Sequence, residues 1–518
     1  MRQKLGRPHS EQATAILVFT LLLLRVGYAE QMRFPFTSIT NPALKLAITN
    51  SYFDLIDQTF YFPQEGFDIE NGYLVFNGIP LIHLIRKYGT PMKITYLPRI
   101  GIQVRKARNL FTRAMKSLGY QGNYYYCYCT KSSHFSYVVH EAIRHGCQIE
   151  TSSAFDIDLI RQLYAQNRID KNIIVVCNGF KPENYLKRLA DLINDGFGNV
   201  IPVCDNDHEI DYYAEHVEGD CPIGIRMATE EEPNFEFYTS RLGIRSSKVV
   251  EFYKEKIAPN PKFKLRMLHF FVDTGIKDSL YYWGELKKAI KLYAELKRLS
   301  PDLHALNIGG GMPIRNSLGF EFDYKYMVRE ITSLILNACE EEDIPEPDIF
   351  TEFGKYTVGE SAATLFSVLA QKQQNDAELW YMIDNSLMTT LPDTWGIGER
   401  FILLPINKWG NEYRRVNIGG LSCDNSDYYN SEIHESQVYL PAYPENDPEP
   451  LYLGFFHTGA YQDSISGYGG IKHCLIPAPK HVIIYKDSRG NLIDELYQPE
   501  QSPEDMLRIL GYPSQATR

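Results

Sequence analysis

The chain of 518 residues is long enough for two or three domains, or for one large barrel with an attached domain. It is 44% hydrophobic and 23% charged, values typical of a globular protein that exclude collagen-like, largely disordered and multi-span membrane proteins. The formal net charge of −11 argues against binding to a nucleic-acid backbone, because proteins that do so usually carry a basic excess.

The nine cysteines are too sparse and too irregularly spaced to indicate a disulfide framework. Because their number is odd, at least one thiol is free or pairs between chains. This pattern favours a reducing compartment.

The amino terminus has the ingredients of a secretory signal peptide. Basic residues precede an apolar run over residues 15–24, and the small residues Gly27 and Ala29 follow it. The run is too short to span a bilayer. Two other interpretations stay open: a chance apolar stretch, or an upstream extension of a chain that starts at Met32. Residues 1–30 are therefore predicted to be a leader, either a signal or a misassigned start.

Between about residues 121 and 355, short β-rich runs alternate regularly with stretches of helical spacing. The runs cover residues 124–129, 147–149, 172–177, 200–204, 222–227, 265–272, 305–308 and 348–350. Such alternation implies parallel βαβ units, and eight of them can close into a (β/α)8 TIM barrel. An open doubly wound sheet is the alternative on this pattern alone.

The flanking regions predict a second domain that is mainly antiparallel and split between both chain ends. Residues 71–82 and most of 378–490 show short strands separated by Gly, Pro and Asn, without long helical stretches. We therefore predict an α/β protein in which the barrel, residues 101–365, is inserted between the two parts of a β-domain, residues 31–100 and 366–518.

The predicted carboxyl ends of the barrel strands carry the residues suited to chemistry. Lys131, Glu150 and Glu352 supply an amine and carboxylates, and the triple glycine at 309–311 allows backbone N–H groups to approach an anion closely. A phosphate cradle, a lysine able to form an imine and a carboxylate on neighbouring strand ends are what a pyridoxal phosphate site requires. Taken singly, the lysine also suits a solvated position and the glycines suit a tight turn.

A series of motifs in this order resembles the fold-type III pyridoxal-phosphate-dependent decarboxylases of basic amino acids, over roughly residues 71–486. In the barrel the motifs are CTK at 129–131, IETSS at 149–153, VCNGFK at 176–181, SRLGI at 240–244, LHF at 268–270, NIGGG at 307–311 and TEFG at 351–354. After the barrel they are LPDTWGI at 391–397, CD at 423–424 and GFFHTGAYQ at 454–462. The second group resembles the biosynthetic arginine decarboxylase branch.

The resemblance implies a role for each matching residue. Lys131 would hold pyridoxal phosphate as an imine, Glu352 would pair with the pyridine nitrogen, and Glu150 would lie near the lysine. The other cofactor-binding positions implied are Phe271, Thr274, Gly309, Gly310, Gly311, Lys355 and Tyr461.

One segment of the resemblance, residues 423–427, bears on the substrate. Cys423 matches the thiol that reprotonates Cα, and Asp424 matches the carboxylate that recognises the distal cation of the substrate. Asp427 is predicted to bind the substrate with it. A carboxylate can bind a guanidinium through two parallel hydrogen bonds. In this family the Cys-Asp segment comes from the neighbouring subunit, so the resemblance implies a homodimer with shared active sites.

The chain departs from the family pattern at several of these positions. Phe271 replaces a histidine that stacks on the cofactor ring, Asp273 occupies a position where the family has glycine, and Lys355 replaces an arginine. Phenylalanine can still stack on a pyridine face, and lysine keeps the charge but loses the fork geometry of arginine. The sequence after the Cys-Asp pair is also altered.

The resulting functional prediction is a carboxy-lyase that converts L-arginine into agmatine and CO2 for polyamine biosynthesis. The alternatives are a decarboxylase of ornithine, lysine or a related basic amino acid, and a non-catalytic regulatory homologue. No metal site, nucleic acid or membrane partner is predicted. Since the resemblance begins downstream of Met32 and such enzymes are largely cytosolic, a cytoplasmic location is favoured, with export as the alternative.

Overall fold

The computed structural model describes residues 51–53, 59–233, 236–429 and 438–512. Contacts divide the chain into a short unit, Met1–Ser51, and a large unit, Tyr52–Arg518. The predicted leader lies outside the described residues. Among the helices of the described part, none combines the length and the apolar character needed to cross a membrane.

Eight parallel strands form a closed barrel, as the sequence pattern predicts. They are Tyr124–Cys129, Gln148–Thr151, Val175–Cys177, Val200–Cys204, Cys221–Ala228, Phe263–Phe270, Ala305–Asn307 and Asp348–Glu352. Each pairs with the next in chain order, and the eighth pairs with the first through Ile349 opposite Tyr124. The closure decides against the open doubly wound sheet.

Helices connect successive barrel strands and cover the outside of the barrel. The helices around the barrel are Pro98–Leu118, Ser136–Arg144, Ala154–Ala165, Glu183–Asn194, Asp207–His216, Val249–Phe252, Leu280–Leu299 and Tyr324–Glu341. The main apolar core lies between these helices and the strands, and a smaller cluster around Cys127, Val176, Met267 and Phe350 fills the barrel interior. A further short strand, Ile244–Arg245, extends the barrel sheet beside the fifth strand. The barrel is therefore a packed scaffold whose open rim is available for chemistry.

The second sheet joins strands from both chain ends, as predicted for the split β-domain. Its amino-terminal strand, Met92–Tyr96, pairs antiparallel with Ala362–Asn375 and parallel with Lys480–Lys486. The other strands of this part of the chain are Ser51–Phe53, Thr59–Tyr61, Phe67–Glu70, Tyr73–Phe76, Ile79–Pro80, Glu378–Ile383, Ile402–Pro405, Tyr413–Gly419, Tyr428–Tyr429, Val438–Pro441, Tyr452–Phe456 and Leu492–Gln498. The remaining helices, all short, are Leu81–Tyr88, Gly354–Val358, Leu387–Thr390, Asp393–Gly396, Gln462–Ile465 and Pro503–Ile509.

A buried ion pair lies beside the barrel between the third and fourth strand ends. Lys181 Nζ is 2.8 Å from Glu209 Oε2, and both side chains have no exposed surface. The same ammonium donates to the carbonyl oxygens of Gly179 at 3.0 Å and Val203 at 2.6 Å. Lys181 thus pairs with a buried carboxylate and satisfies two backbone carbonyl groups.

We expect Lys181→Met to lower the free energy of unfolding by about 3–5 kcal/mol, because it leaves a buried carboxylate without its partner. Urea unfolding followed by circular dichroism measures the change. Lys187→Met is the control, since Lys187 is exposed on the following helix, and we expect it to change stability by less than about 0.5 kcal/mol. Equal stability of the two variants would contradict the assigned role of Lys181.

Candidate active site

Polar side chains from the ends of five barrel strands form one hydrogen-bond network at the carboxyl rim. Its members are Lys131, Glu150, Ser152, Asn178, Asn307 and Glu352. Parallel strands of a barrel all end at this rim, so residues distant in sequence meet there.

Lys131 lies in a 3₁₀ turn, Thr130–Ser132, that directly follows the first barrel strand. Its Nζ donates to both oxygens of Glu150, at 2.8 and 2.7 Å, and to Ser152 Oγ at 3.3 Å. The Glu150 side chain is fully buried, whereas that of Lys131 is 42% exposed. Desolvation disfavours the charged amine, but the attraction of Glu150 outweighs it and raises the pKa of Lys131. A buried carboxylate therefore fixes an amine that remains open to a ligand.

Glu352 is the last residue of the eighth strand and its side chain is 5% exposed. Its Oε1 accepts hydrogen bonds from Nδ2 of Asn307 at 2.7 Å and Nδ2 of Asn178 at 2.8 Å. The same nitrogen of Asn178 donates to Glu150 Oε1 at 3.0 Å. Asn178 therefore joins the two buried carboxylates and fixes their relative position.

Arg226 and His269 contribute nitrogen atoms to the rim from the fifth and sixth strands. Among the described residues, Nε of Arg226, Nδ1 of His269 and Oδ1 of Asn178 are buried without a hydrogen-bond partner. Burial, reinforced by the charge of Arg226, lowers the pKa of His269 to about 3, so the ring is neutral at physiological pH. Because buried polar atoms in proteins are normally satisfied, these atoms suit a polar ligand at the rim.

The triple glycine after the seventh strand packs backbone against backbone. Gly309 and Gly311 have positive φ angles of +70° and +89°. A Cβ atom would lie 2.8 Å from Phe270 O at Gly309, and 2.6 Å from Gly275 Cα at Gly311. A Cβ atom at Gly310 would lie 2.7 Å from a backbone carbonyl oxygen of the eighth strand. No larger residue fits this turn, which suits a close approach to an anion.

The turn after the sixth strand lies against the triple glycine. The backbone N–H of Thr274 donates to Oε1 of Glu232 at 2.6 Å. Burial, together with the nearby charge of Asp273, raises the pKa of Glu232 and so favours its neutral form. Phe271 is half-buried beside the turn, with the guanidinium carbon of Arg226 6.0 Å from its ring centroid.

Lys355 and Tyr461 are both connected to the rim network, Lys355 along the sequence and Tyr461 through a backbone hydrogen bond. Lys355 follows Glu352 in a short helix, Gly354–Val358, and its Nζ is 2.7 Å from Glu399 Oε2. The backbone N–H of Tyr461 donates to the carbonyl oxygen of Ser132 at 2.8 Å, which ties its segment to the turn of the candidate lysine.

Cys423, Asp424 and Asp427 lie on a separate loop of the β-domain. Cys423 and Asp424 are exposed, whereas Asp427 is 5% exposed. Asp427 accepts hydrogen bonds from the backbone N–H groups of Leu387 at 2.8 Å and Ser422 at 2.9 Å. Its carboxylate is thus engaged in holding the loop, and Asp424 is the carboxylate that the loop presents outward.

Sequence reasoning did not assign roles to four residues of this rim: Asn178, Arg226, His269 and Asn307. Each lies in or next to a predicted strand, and Asn178, His269 and Asn307 fall within the motifs VCNGFK, LHF and NIGGG. Their position at strand ends was therefore a usable signal. No sequence signal predicted the hydrogen bond between Thr274 and Glu232, because these residues are 42 positions apart.

The residues present fit pyridoxal phosphate. Lys131 offers a primary amine for the aldehyde, Glu352 a buried carboxylate for the ring nitrogen, and the glycine turn an approach for the phosphate. The unpaired atoms of Arg226 and His269 lie at the same rim.

Residues 104–359 match the sequence model of the pyridoxal-binding domain of pyridoxal-dependent decarboxylases. The match contains all eight barrel strands and the whole rim network.

Curated relatives include a biosynthetic arginine decarboxylase of Proteus mirabilis, 21% identical over 79% of this chain and 81% of that protein. The biosynthetic arginine decarboxylase of Pseudomonas aeruginosa is also 21% identical, over 83% of this chain and 84% of that protein. Both alignments extend well beyond the barrel.

Similar solved structures include a biosynthetic arginine decarboxylase from Campylobacter jejuni, with a TM-score of 0.71 and 20% identity. The alignment covers 87% of this chain and 89% of that one. A diaminopimelate decarboxylase from M. jannaschi has a TM-score of 0.70 and 16% identity, over 86% of this chain and 97% of that one. The fold of both domains is therefore shared with decarboxylases of different amino acids.

Proposed function

The chain belongs to the pyridoxal-dependent decarboxylases through residues 104–359, and on that premise we propose that it decarboxylates L-arginine to agmatine. The observation that carries the proposal is the network in which Asn178 joins the carboxylate beside Lys131 to Glu352. The curated relatives of this chain that are named biosynthetic arginine decarboxylases support the choice of substrate.

Bound pyridoxal phosphate would supply an electron sink for the carbanion that loss of CO2 leaves at Cα. Lys131 would hold its aldehyde, because its amine reaches the open rim while Glu150 holds it in place. Glu352 would face the ring nitrogen, because two amide groups fix its Oε1 at 2.7 and 2.8 Å. A carboxylate at that nitrogen favours the protonated ring.

Other residues would bind the phosphate and the ring face of the cofactor. Gly309, Gly310 and Gly311 would bind the phosphate through their backbone, with Thr274 adding a hydroxyl and Tyr461 a phenol. Lys355 would contribute a positive charge. Its Nζ would first move away from Oε2 of Glu399, which lies 2.7 Å from it. Phe271 would stack on the ring face, because it lies beside the glycine turn.

Cys423 would return a proton to Cα, and Asp424 would bind the guanidinium of the substrate. The hydrogen bond with Cys474 raises the pKa of the Cys423 thiol, which keeps it protonated as a proton donor requires. Among the described residues, the sulfur of Cys423 contacts His473 and Cys474 rather than the rim network. We therefore propose that Cys423 and Asp424 serve the active site of a second subunit in a homodimer.

The test of the function is direct. Purified protein is incubated with pyridoxal phosphate and, separately, arginine, ornithine or lysine, and CO2 and the amine are measured. We expect agmatine from arginine. Product from ornithine or lysine with none from arginine would overturn the substrate, and cofactor binding without product from any of them would indicate a non-catalytic homologue.

Asp424→Asn is expected to lower kcat/KM for arginine by about 10–100-fold, because it removes the charge from a bidentate guanidinium contact. The effect should fall mainly on KM, and steady-state kinetics separate the two constants. Ser426→Ala on the same exposed loop is the control and should leave kcat/KM unchanged. A KM for arginine unchanged in Asp424→Asn would show that another group binds the guanidinium.

A further inference from the structure

Two exposed cysteines and a histidine converge at one place on the β-domain. Cys423 Sγ is 3.4 Å from Cys474 Sγ and 3.9 Å from His473 Nε2. All three ligand atoms lie within 4.8 Å of one another, and all three residues are exposed. The other seven cysteines of the chain are buried, so this is where two thiols are accessible together.

Each of the two loops that form the cluster has a defined local backbone conformation. On one side, Asp427 accepts the backbone N–H of Ser422, the residue before Cys423, at 2.9 Å. On the other, Cys474 lies in a 3₁₀ turn, His473–Leu475, with a left-handed φ of +55°. A left-handed conformation is unfavourable for a residue with a side chain, and strain of this kind concentrates at functional sites.

The spacing of the three atoms is that of a soft-metal site. Two thiolates bound tetrahedrally to zinc at about 2.3 Å place their sulfur atoms about 3.7 Å apart. The 3.4 Å between the two sulfur atoms is close to this value. The 3.9 Å from Cys423 Sγ to the imidazole nitrogen is close to the sulfur–nitrogen separation of about 3.5 Å expected with Zn–N bonds of about 2.0–2.1 Å. Thiolate and imidazole are the ligands that Zn²⁺ takes, and three protein ligands leave a fourth position for water or substrate.

We propose that Cys423, His473 and Cys474 form a binding site for a soft divalent metal ion of the Zn²⁺ class. The metal replaces the thiol protons, so one ion binds two thiolates and one neutral imidazole. Because the site needs ligands from one chain only, it forms whether or not the active site is shared between subunits.

Metal binding has a consequence for turnover that rests on the proposed function. Cys423 can give a proton to Cα only while its sulfur carries one and is free to approach the substrate. An ion bound between Cys423 and Cys474 removes that proton and holds the sulfur. Zn²⁺ therefore inhibits the enzyme reversibly, and a chelator restores it.

Binding is tested independently of activity on the full-length holoenzyme, kept reduced with a phosphine. Equilibrium dialysis against chelator-buffered Zn²⁺ measures stoichiometry and affinity, and X-ray absorption at the zinc edge identifies the ligand atoms. We expect one zinc per chain bound to two sulfur atoms and one nitrogen. We expect Cys474→Ala and His473→Ala each to weaken binding by at least about tenfold.

A matched pair of variants connects the site to turnover. His473→Ala should keep basal turnover and lose zinc inhibition, whereas Cys221→Ala, which removes a buried thiol, should keep both. Thermal melts verify that each variant is folded. Zinc bound without sulfur neighbours, or with unchanged affinity in folded Cys474→Ala, would overturn the proposal. Sulfur-bound zinc in a protein that decarboxylates no amino acid would support the site while refuting the proposed function.

Discussion

Replacing Lys131 by alanine is expected to lower kcat/KM for the amino-acid substrate by at least about 10³-fold, because the variant loses its covalent attachment to the cofactor. The visible absorption of lysine-bound pyridoxal phosphate should disappear as well, which gives a signal that does not depend on activity. Absorption spectroscopy and steady-state kinetics on the same preparation measure the two effects.

The control for this variant is Lys187→Ala. Lys187 is exposed on a helix outside the barrel. Its replacement should leave both the absorption and kcat/KM at wild-type values. If Lys131→Ala kept the absorption band, another lysine would hold the cofactor. Lys181, whose ammonium is fixed by Glu209 and two carbonyl groups, would be unsuited to replace it.

The second large effect is expected for Cys423→Ala, with kcat lower by about 10²–10⁴-fold, the usual range for loss of a general acid. Binding of the cofactor should be unchanged, because Cys423 contacts none of the described residues of the rim network. Kinetics and absorption spectra again separate the two steps.

Mixing two inactive variants tests whether the active site is shared. Lys131→Ala and Cys423→Ala each damage a different part of the site, so a mixed dimer would contain one site with both residues intact. Random reassociation should restore about a quarter of wild-type activity. No recovery in a mixture shown to contain mixed dimers would mean that Lys131 and Cys423 of one chain serve the same site.

Much of the fold follows from local patterns that the chain carries in order. The alternation of two periodicities predicts eight strands, and each run overlaps a strand of the closed barrel. The principle that a barrel collects the ends of its strands then predicts that Lys131, Glu150 and Glu352 lie together. The hydrogen bonds from Lys131 to Glu150 agree with that expectation.

The details of the site depend on contacts that no local pattern encodes. The role of Asn178 arises because barrel closure brings Glu352 within 2.8 Å of its amide, across 174 positions of sequence. The pairing of Lys355 with Glu399 joins the barrel rim to a loop of the β-domain. The thiol pair of Cys423 and Cys474 is 51 residues apart, so its spacing resembles no short metal-binding motif.

The position of the strand Met92–Tyr96 also sets an order of events during synthesis. All five of its residues are buried, and its two neighbours, Ala362–Asn375 and Lys480–Lys486, are translated only after the barrel strands. On the ribosome this segment therefore emerges hundreds of residues before the second neighbour exists. The nascent chain must keep this unpaired strand, with its apolar Met92, Ile94 and Tyr96, from aggregating while the barrel forms. We therefore expect the need for chaperones during synthesis to be set by this topology rather than by the active site.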